Sequence, residues 1–479
     1  MSVLSTWRRV ELVTRPEDPD FAAAMKRRWA ELPQGVRTPG QLLGRHAVGC
    51  EGTHGVFPKC NLKCTPCYHS RDANLVRVDG GHTVDQVRGQ MDLLRRKRGP
   101  FAHAQLIGGE VSLLSPDDHA ATLEVMRAAG REPMSFTHGD FDPQYLQELA
   151  IGPDGQPRTD RLSFAAHFDK FMYGRSGIER PASEAALNPY RARFAQMFTA
   201  LRREHGVSSF LAHNMTVTPG NVDEIADVIR DCHAMGYGLF SFQPAAFIGD
   251  ERRWKEQFRA ATPDAVWAEI ERGAGATLDY HVVENGDVRC NRTAYGFYVG
   301  DRWFPFLDGG DPADLAVRDA FFQYFGRTSF TGTPPMLLTA RIARVAGRHP
   351  RVVRLALSWA WRAMRRVGPV HLVRHLRQMH VLTFVMHQFM DADVVAPAWE
   401  LMQRGEVAED PRVLEAQERL SACTYAMAHP EDGTLVPACV QHGVLDPNEN
   451  AQLRTLLPII EVRTARTRGV RPLERKQAR

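Results

Sequence analysis

Three of the eight cysteines, Cys60, Cys64 and Cys67, fall within eight residues in the spacing CxxxCxxC. A disulfide scaffold needs denser cysteine than this, and thiols crowded on one short loop of a reducing compartment point to metal or cluster ligation. Three thiolates can saturate three irons of a cubane cluster and leave the fourth iron open to an external ligand. An electron-transfer ferredoxin closes that position with a fourth cysteine, and none follows within reach on this loop. An open iron implies chemistry on a small molecule. The competing assignment is a Cys₃His zinc site completed by His54 or His69, for which this spacing is less usual.

Such a loop needs elements to present it. Residues 55–58 read as a short strand entering the cysteine segment, and residues 83–98 as a helix with Val84, Val87, Met91 and Leu94 at helical spacing. The next strand is expected at 104–107, running into Gly108, Gly109 and Glu110. Ser115, Pro116 and Asp118 then supply an N-cap, a first-turn proline and a first-turn acid for a second helix. Further strands are expected at 134–137, 162–166, 210–217 and 239–242, with a helix at 221–235 between the last two. Six strands with intervening helices predict an α/β fold, a partial (β/α)₆ barrel.

Past about residue 250 the alternation stops. The expected division is an N-terminal extension at 1–44, a barrel core at 45–255 and a mainly helical C-terminal domain at 256–479. Between residues 340 and 390 there are ten arginines and no acidic residue, and Pro350 and Pro369 divide the stretch into short helices. Val352, Val353, Leu355, Leu357, Trp359 and Trp361 set among Arg351, Arg354, Arg362, Arg365 and Arg366 read as basic amphipathic helices suited to an anionic membrane surface. The alternative is solvated arginine over a packed helical cap. The tail at 463–479 is basic as well.

With 43% hydrophobic and 24% charged residues the chain is of ordinary globular composition, and a net charge of +4 is too slight to imply nucleic-acid binding by the whole chain. Neither a signal-peptide core nor a membrane-length apolar run occurs. The expected location is cytoplasmic, with contact at most peripheral to the inner face of the membrane.

The cysteine loop and the Gly108-Gly109-Glu110 tripeptide some forty residues later together resemble the radical S-adenosylmethionine (SAM) superfamily. Pro66 stands where the family's usual aromatic precedes the third cysteine, and Tyr68 follows it. The resemblance implies a 4Fe-4S cluster on Cys60, Cys64 and Cys67, SAM as cofactor, a 5′-deoxyadenosyl radical that abstracts hydrogen, and an electron donor such as ferredoxin or flavodoxin. It also implies that Gly108 and Gly109 let the backbone approach the aminoacyl end of SAM and that Glu110 pairs with its ammonium group. Further SAM contacts are expected at strand ends, among His167, Asp169, Thr216 and Gln243.

Three stretches, NVDE (221–224) with SFQPAAFIG (241–249), MHQFMD (386–391) and CTYAMAHPEDGTLVPAC (423–439), look like the tetraether-lipid-synthase type of radical SAM protein. That likeness implies a lipid or other long apolar substrate and carbon–carbon bond formation or alkylation. The additional upstream cysteines of that group are lacking here apart from Cys50. Cys290, Cys423 and Cys439 are candidate ligands of a second iron–sulfur cluster, with Cys50 or His442 to complete it. The alternative is that Cys290 is a lone thiol and the other two flank a hairpin turned by Asp432-Gly433. Other functional readings are a maturase of a peptide or small metabolite, and a non-catalytic zinc or iron–sulfur module docking on membrane or nucleic acid.

Overall fold

The computed structural model describes residue 15 and residues 17–67, 74–330 and 333–459. Tyr68, His69 and the basic tail lie outside the described residues. Six parallel strands form the middle of one sheet: β1 (Cys50–Gly52), β2 (Ala102–Leu106), β3 (Arg131–Thr137), β4 (Arg161–His167), β5 (Ser208–Val217) and β6 (Leu239–Pro244), hydrogen-bonded in that order. This is the expected partial barrel with one correction. Residues 55–58 are loop, and the first strand lies earlier, at Cys50–Gly52. Val56 and Phe57 are buried by packing in the core rather than by a ladder, and a short apolar run does not distinguish the two.

The mainly helical C-terminal part also finishes both edges of this sheet, through β7 (Asn291–Ala294), β8 (Thr383–His387), β9 (Tyr425–His429) and β10 (Thr434–Pro437). β8 pairs in parallel with β6, and β9 in parallel with β1; β7 and β10 pair antiparallel outside them, so that ten strands result. Covering an open edge in this way removes a row of unpaired backbone groups. The β9–β10 hairpin turns at Asp432-Gly433, the alternative the sequence offers for this segment, with Gly433 at φ 74°.

The helices begin where their caps say. In α1 (Gly80–Arg98) the Asp79 carboxylate accepts from His82 N, and in α2 (Pro116–Ala128) Ser115 accepts from Asp118 N. Helix α3 (Asn188–His205) lays Phe194 and Phe198 on Phe164 of β4, with ring centroids 5.0–5.1 Å apart along the Phe164–Phe198–Phe194 chain. One contiguous core joins these rings to residues from Val56 to Ala428. The arginine-rich stretch forms α4 (Pro335–Arg348), α5 (Pro350–Val367) and α6 (Pro369–His375), broken at the two prolines as expected. Helix α7 (Asp446–Leu456) ends the described chain.

Inside the sheet β1 and β3 are tied by a fully buried ion pair. Arg131 donates through Nε and Nη2 to the two oxygens of Glu51 at 2.9 and 3.1 Å, and Nη1 donates to the carbonyls of Gly99 and Ala129. Removing one member leaves an uncompensated buried charge, which costs about 3–5 kcal/mol. Arg131→Met should therefore lower unfolding stability in denaturant titration by about that amount, and adding Glu51→Leu should restore most of it.

Candidate functional site

The cysteine loop leaves β1 at the C-terminal ends of the parallel strands, where loops of such barrels build sites. Its seat is the glycine pair. Gly109 N donates to Phe57 O at 2.8 Å. A Cβ on Gly109 would collide with the carbonyl oxygens of Pro58 and Lys59, and one on Gly108 with the ring and carbonyl of Phe57. These glycines thus admit the loop's own backbone as close neighbour. Lys63 and Cys64 pair antiparallel with Tyr173 and Met172, and Cys60 N donates to Asn74 Oδ1 at 3.0 Å. Burial pushes the Cys60 thiol up to about 12; Cys64 is also raised, first by its hydrogen bond to Cys67 and then by burial. Ligation must displace these protons, so loading the site is coupled to proton release.

Glu110, expected to meet an ammonium group, is buried and differently engaged. Its carboxylate accepts from Thr137 Oγ1 at 2.6 Å, His138 N at 2.8 Å and Ser112 N at 2.9 Å. Burial opposes its ionisation, but the ring N–H of His138, with Nε2 3.3 Å from Glu110 Oε2, and these donors outweigh it and hold the carboxyl below its usual value. His138 in turn donates from Nε2 to Asn61 Oδ1 at 2.8 Å and accepts at Nδ1 from Asp140 N, which defines its neutral tautomer. Burial lowers its pKa, in agreement. A continuous chain, Glu110 to His138 to Asn61, thereby fastens the cysteine loop to the end of β3.

A cavity of about 740 Å³ opens at this end, and Cys60, Cys64, Cys67, Gly108 and Gly109 all line it. Of the other expected contacts His167, Thr216 and Gln243 face the cavity, whereas Asp169 stands behind, accepting from His167 Nε2 at 2.7 Å and Phe171 N at 2.8 Å. Asp169 is thus placed to orient His167. Two wall residues had no sequence signal beyond their place on inner strand faces: Asn214 Nδ2 and Ser241 Oγ are buried there without a hydrogen-bond partner among the described residues. Phe101, Met134, Phe136, Phe210, Leu239, Val385 and Met390 supply apolar wall.

Cys290, Cys423 and Cys439 arrive at the same cavity from the loop before β7, two residues ahead of β9 and the helix after β10, with Cys50 and His442 lining it as well. The thiols are close enough to interact electrostatically: Cys439 is raised by burial and then by Cys423 and Cys290, and burial pushes Cys290 and Cys50 each to about 11. Arg419 donates from Nε to Cys290 Sγ at 3.2 Å. Hairpin and convergence hold together, since the hairpin is what brings Cys423 and Cys439 to one wall. His54 is not available as a fourth ligand to the cysteine loop. Its Nδ1 faces Glu449 at 2.9 Å and its Nε2 donates to Ala428 O at 2.8 Å, both away from the cavity.

Gly109→Ala should displace the loop at Pro58 and Lys59 without unfolding the sheet. Iron and sulfide bound per chain after anaerobic reconstitution are expected to fall sharply while far-ultraviolet circular dichroism stays unchanged.

No family model matches the chain, and no curated protein matches it. Among solved structures, SuiB of Streptococcus suis aligns at 12% identity and TM-score 0.28, over 42% of this chain and 40% of that one. Native anSMEcpe with bound AdoMet aligns at 13% identity and TM-score 0.30, over 47% of this chain and 58% of that one. The same protein with AdoMet and the Kp18Cys peptide gives 13%, 0.31, 47% and 59%. The chain thus aligns with less than two thirds of the length of each.

Proposed function

We propose that this chain is a radical SAM enzyme acting on a lipid or another long apolar substrate. The observation that carries the reading is the three-thiol loop seated on a glycine pair at the mouth of a deep cavity at the C-terminal ends of a partial barrel. The residues fit the two cofactors. Cys60, Cys64 and Cys67 offer three thiolates from one short loop and no fourth ligand from His54. The unpartnered Asn214 amide and Ser241 hydroxyl, with Thr216 and Gln243, offer polar groups to a nucleoside and an amino acid. When bound, cluster and SAM supply reductive cleavage of the sulfonium and a 5′-deoxyadenosyl radical. The chain's own tasks are to hold the cofactors on the Gly108-Gly109 seat, to orient His167 through Asp169, and to keep water out of an apolar chamber. Cys290, Cys423 and Cys439 are the ligands we assign to a second iron–sulfur cluster, with Cys50 or His442 as the fourth, and a ferredoxin or flavodoxin is the electron donor.

The apolar substrate is favoured by the cavity wall and by α5. Val353, Leu357, Trp361 and Met364 form one exposed stripe along it, with Leu357 67% and Trp361 60% accessible, flanked by exposed Arg351, Arg354 and Arg365. Not every residue of that stretch belongs to the stripe. Trp359 turns inward and donates to Phe306 O at 2.7 Å, while Arg362 and Arg366 bind buried Asp314. The stripe and its arginines suit the surface of an anionic membrane, and no described helix is long and apolar enough to cross one.

Anaerobically reconstituted protein with dithionite and SAM should form 5′-deoxyadenosine, and Cys64→Ala should form none above the enzyme-free background. Zinc without iron or sulfide in the wild type would overturn the enzymatic reading in favour of a metal-binding module. Deuterium transferred into deoxyadenosine from a labelled lipid, and not from a labelled peptide, is the expected substrate result; the reverse would favour a maturase. In vesicle sedimentation, replacing Arg351, Arg354 and Arg365 by Gln together should weaken binding to anionic vesicles by about 3 kcal/mol, roughly a hundredfold. Equal binding by both proteins would remove the membrane surface from the proposal.

A further inference from the structure

Outside the cavity, three segments far apart in the chain bring two imidazoles and a carboxylate together. His54 follows β1, His429 ends β9 and Glu449 lies on α7, and their ligand atoms are all within 4.8 Å of one another. The two histidines are buried and their rings stack with centroids 4.1 Å apart.

The partners define where the lone pairs point. His54 Nε2 faces the Ala428 carbonyl at 2.8 Å and must donate to it. His429 Nε2 faces Gln441 Oε1 at 2.7 Å; the Gln441 amide nitrogen donates to Asp446 Oδ1 at 2.9 Å, so its oxygen is the end turned to His429, which must also donate. Both rings therefore carry their proton on Nε2 and turn Nδ1 inward. Each Nδ1 meets carboxylate oxygen: His54 meets Glu449 at 2.9 Å, and His429 meets Glu431 at 2.9 Å and Glu449 at 3.9 Å. Lone pair against lone pair is repulsive unless a cation stands between, and a single proton on His54 would relieve only its own contact with Glu449. Two extra protons would serve only by making two stacked, buried imidazoliums, an unfavourable arrangement at this separation. One divalent ion takes both nitrogens and the Glu449 carboxylate. Histidine ligands whose second nitrogen is held by a carbonyl-type acceptor are the usual outer-shell arrangement of metal sites.

We propose that His54, His429 and Glu449 bind a divalent transition cation of the zinc class. Nitrogen and carboxylate donors without sulfur suit it, and the Glu431 side chain, 63% accessible, leaves a route from solvent. The ion joins the first barrel strand, the edge hairpin and the last described helix at the root of the cysteine loop, Cys60 lying six residues after His54. The site is independent of SAM chemistry, so its test can fail without touching the proposed function.

Chelator-treated full-length protein whose cysteine thiols have been blocked by alkylation, so that the cysteine loop cannot take the ion, should on addition of one equivalent of Zn²⁺ show nitrogen and oxygen neighbours at about 2.0–2.1 Å in X-ray absorption, and no sulfur shell at about 2.3 Å. His429→Gln and Glu449→Gln should each weaken binding at least about tenfold in competition with a chromophoric chelator, with unchanged circular dichroism. A sulfur shell, no bound zinc, or undiminished affinity in Glu449→Gln would overturn the site. The wild-type spectrum needs no variant, and Glu449, on the outer side of the cluster, decides the matter should His429→Gln fail to fold.

Discussion

The close approach of the loop at Phe57–Lys59 to the backbone of Gly108 and Gly109 is the contact on which the site depends. Any side chain at Gly109 would occupy the place of two carbonyl oxygens. With glycine there, the loop lies directly on the end of β2, and the three thiols project over the opening of the barrel. The constraint is steric, and it explains why a flexible residue type occurs twice at the end of a buried strand, where it would otherwise weaken the element.

Around that seat the polar groups are arranged for rigidity. Glu110 spends its carboxylate on Thr137, His138 and Ser112, and His138 passes the connection to Asn61 of the loop. Asp169 does the same for His167. A satisfied buried network resists rearrangement because each member, if broken, leaves an unpaired polar group in a low-dielectric interior. Deeper in the sheet the Glu51–Arg131 pair holds β1, from which the loop departs, against β3.

The C-terminal part works on the same site from both edges. Because β8 and β9 add to opposite ends of the six-stranded centre, Cys290, Cys423 and Cys439 are carried to the cavity wall, and α7 is brought against the turn that follows β1. Helices α4 to α6 lie apart from this work: part of their arginine complement is bound to Asp314, and the remainder borders an uncovered apolar stripe.

Local signals in the sequence were enough for the cysteine triplet, five of the six central strands to within a few residues, the capped helices, the two proline breaks and the Asp432-Gly433 hairpin. Each of these rests on residues within a few positions of one another, where periodicity, caps and turn chemistry operate. The first strand was displaced, because Val56 and Phe57 are apolar for packing reasons that a short run does not distinguish from pairing. The inward role of Glu110, the place of Asp169 behind His167, and the His54–His429–Glu449 cluster were decided only by tertiary structure. Their partners are up to 395 residues apart in sequence, and which side chains meet across such distances is set by the order of strands in the sheet, for which no neighbouring residues carry a signal.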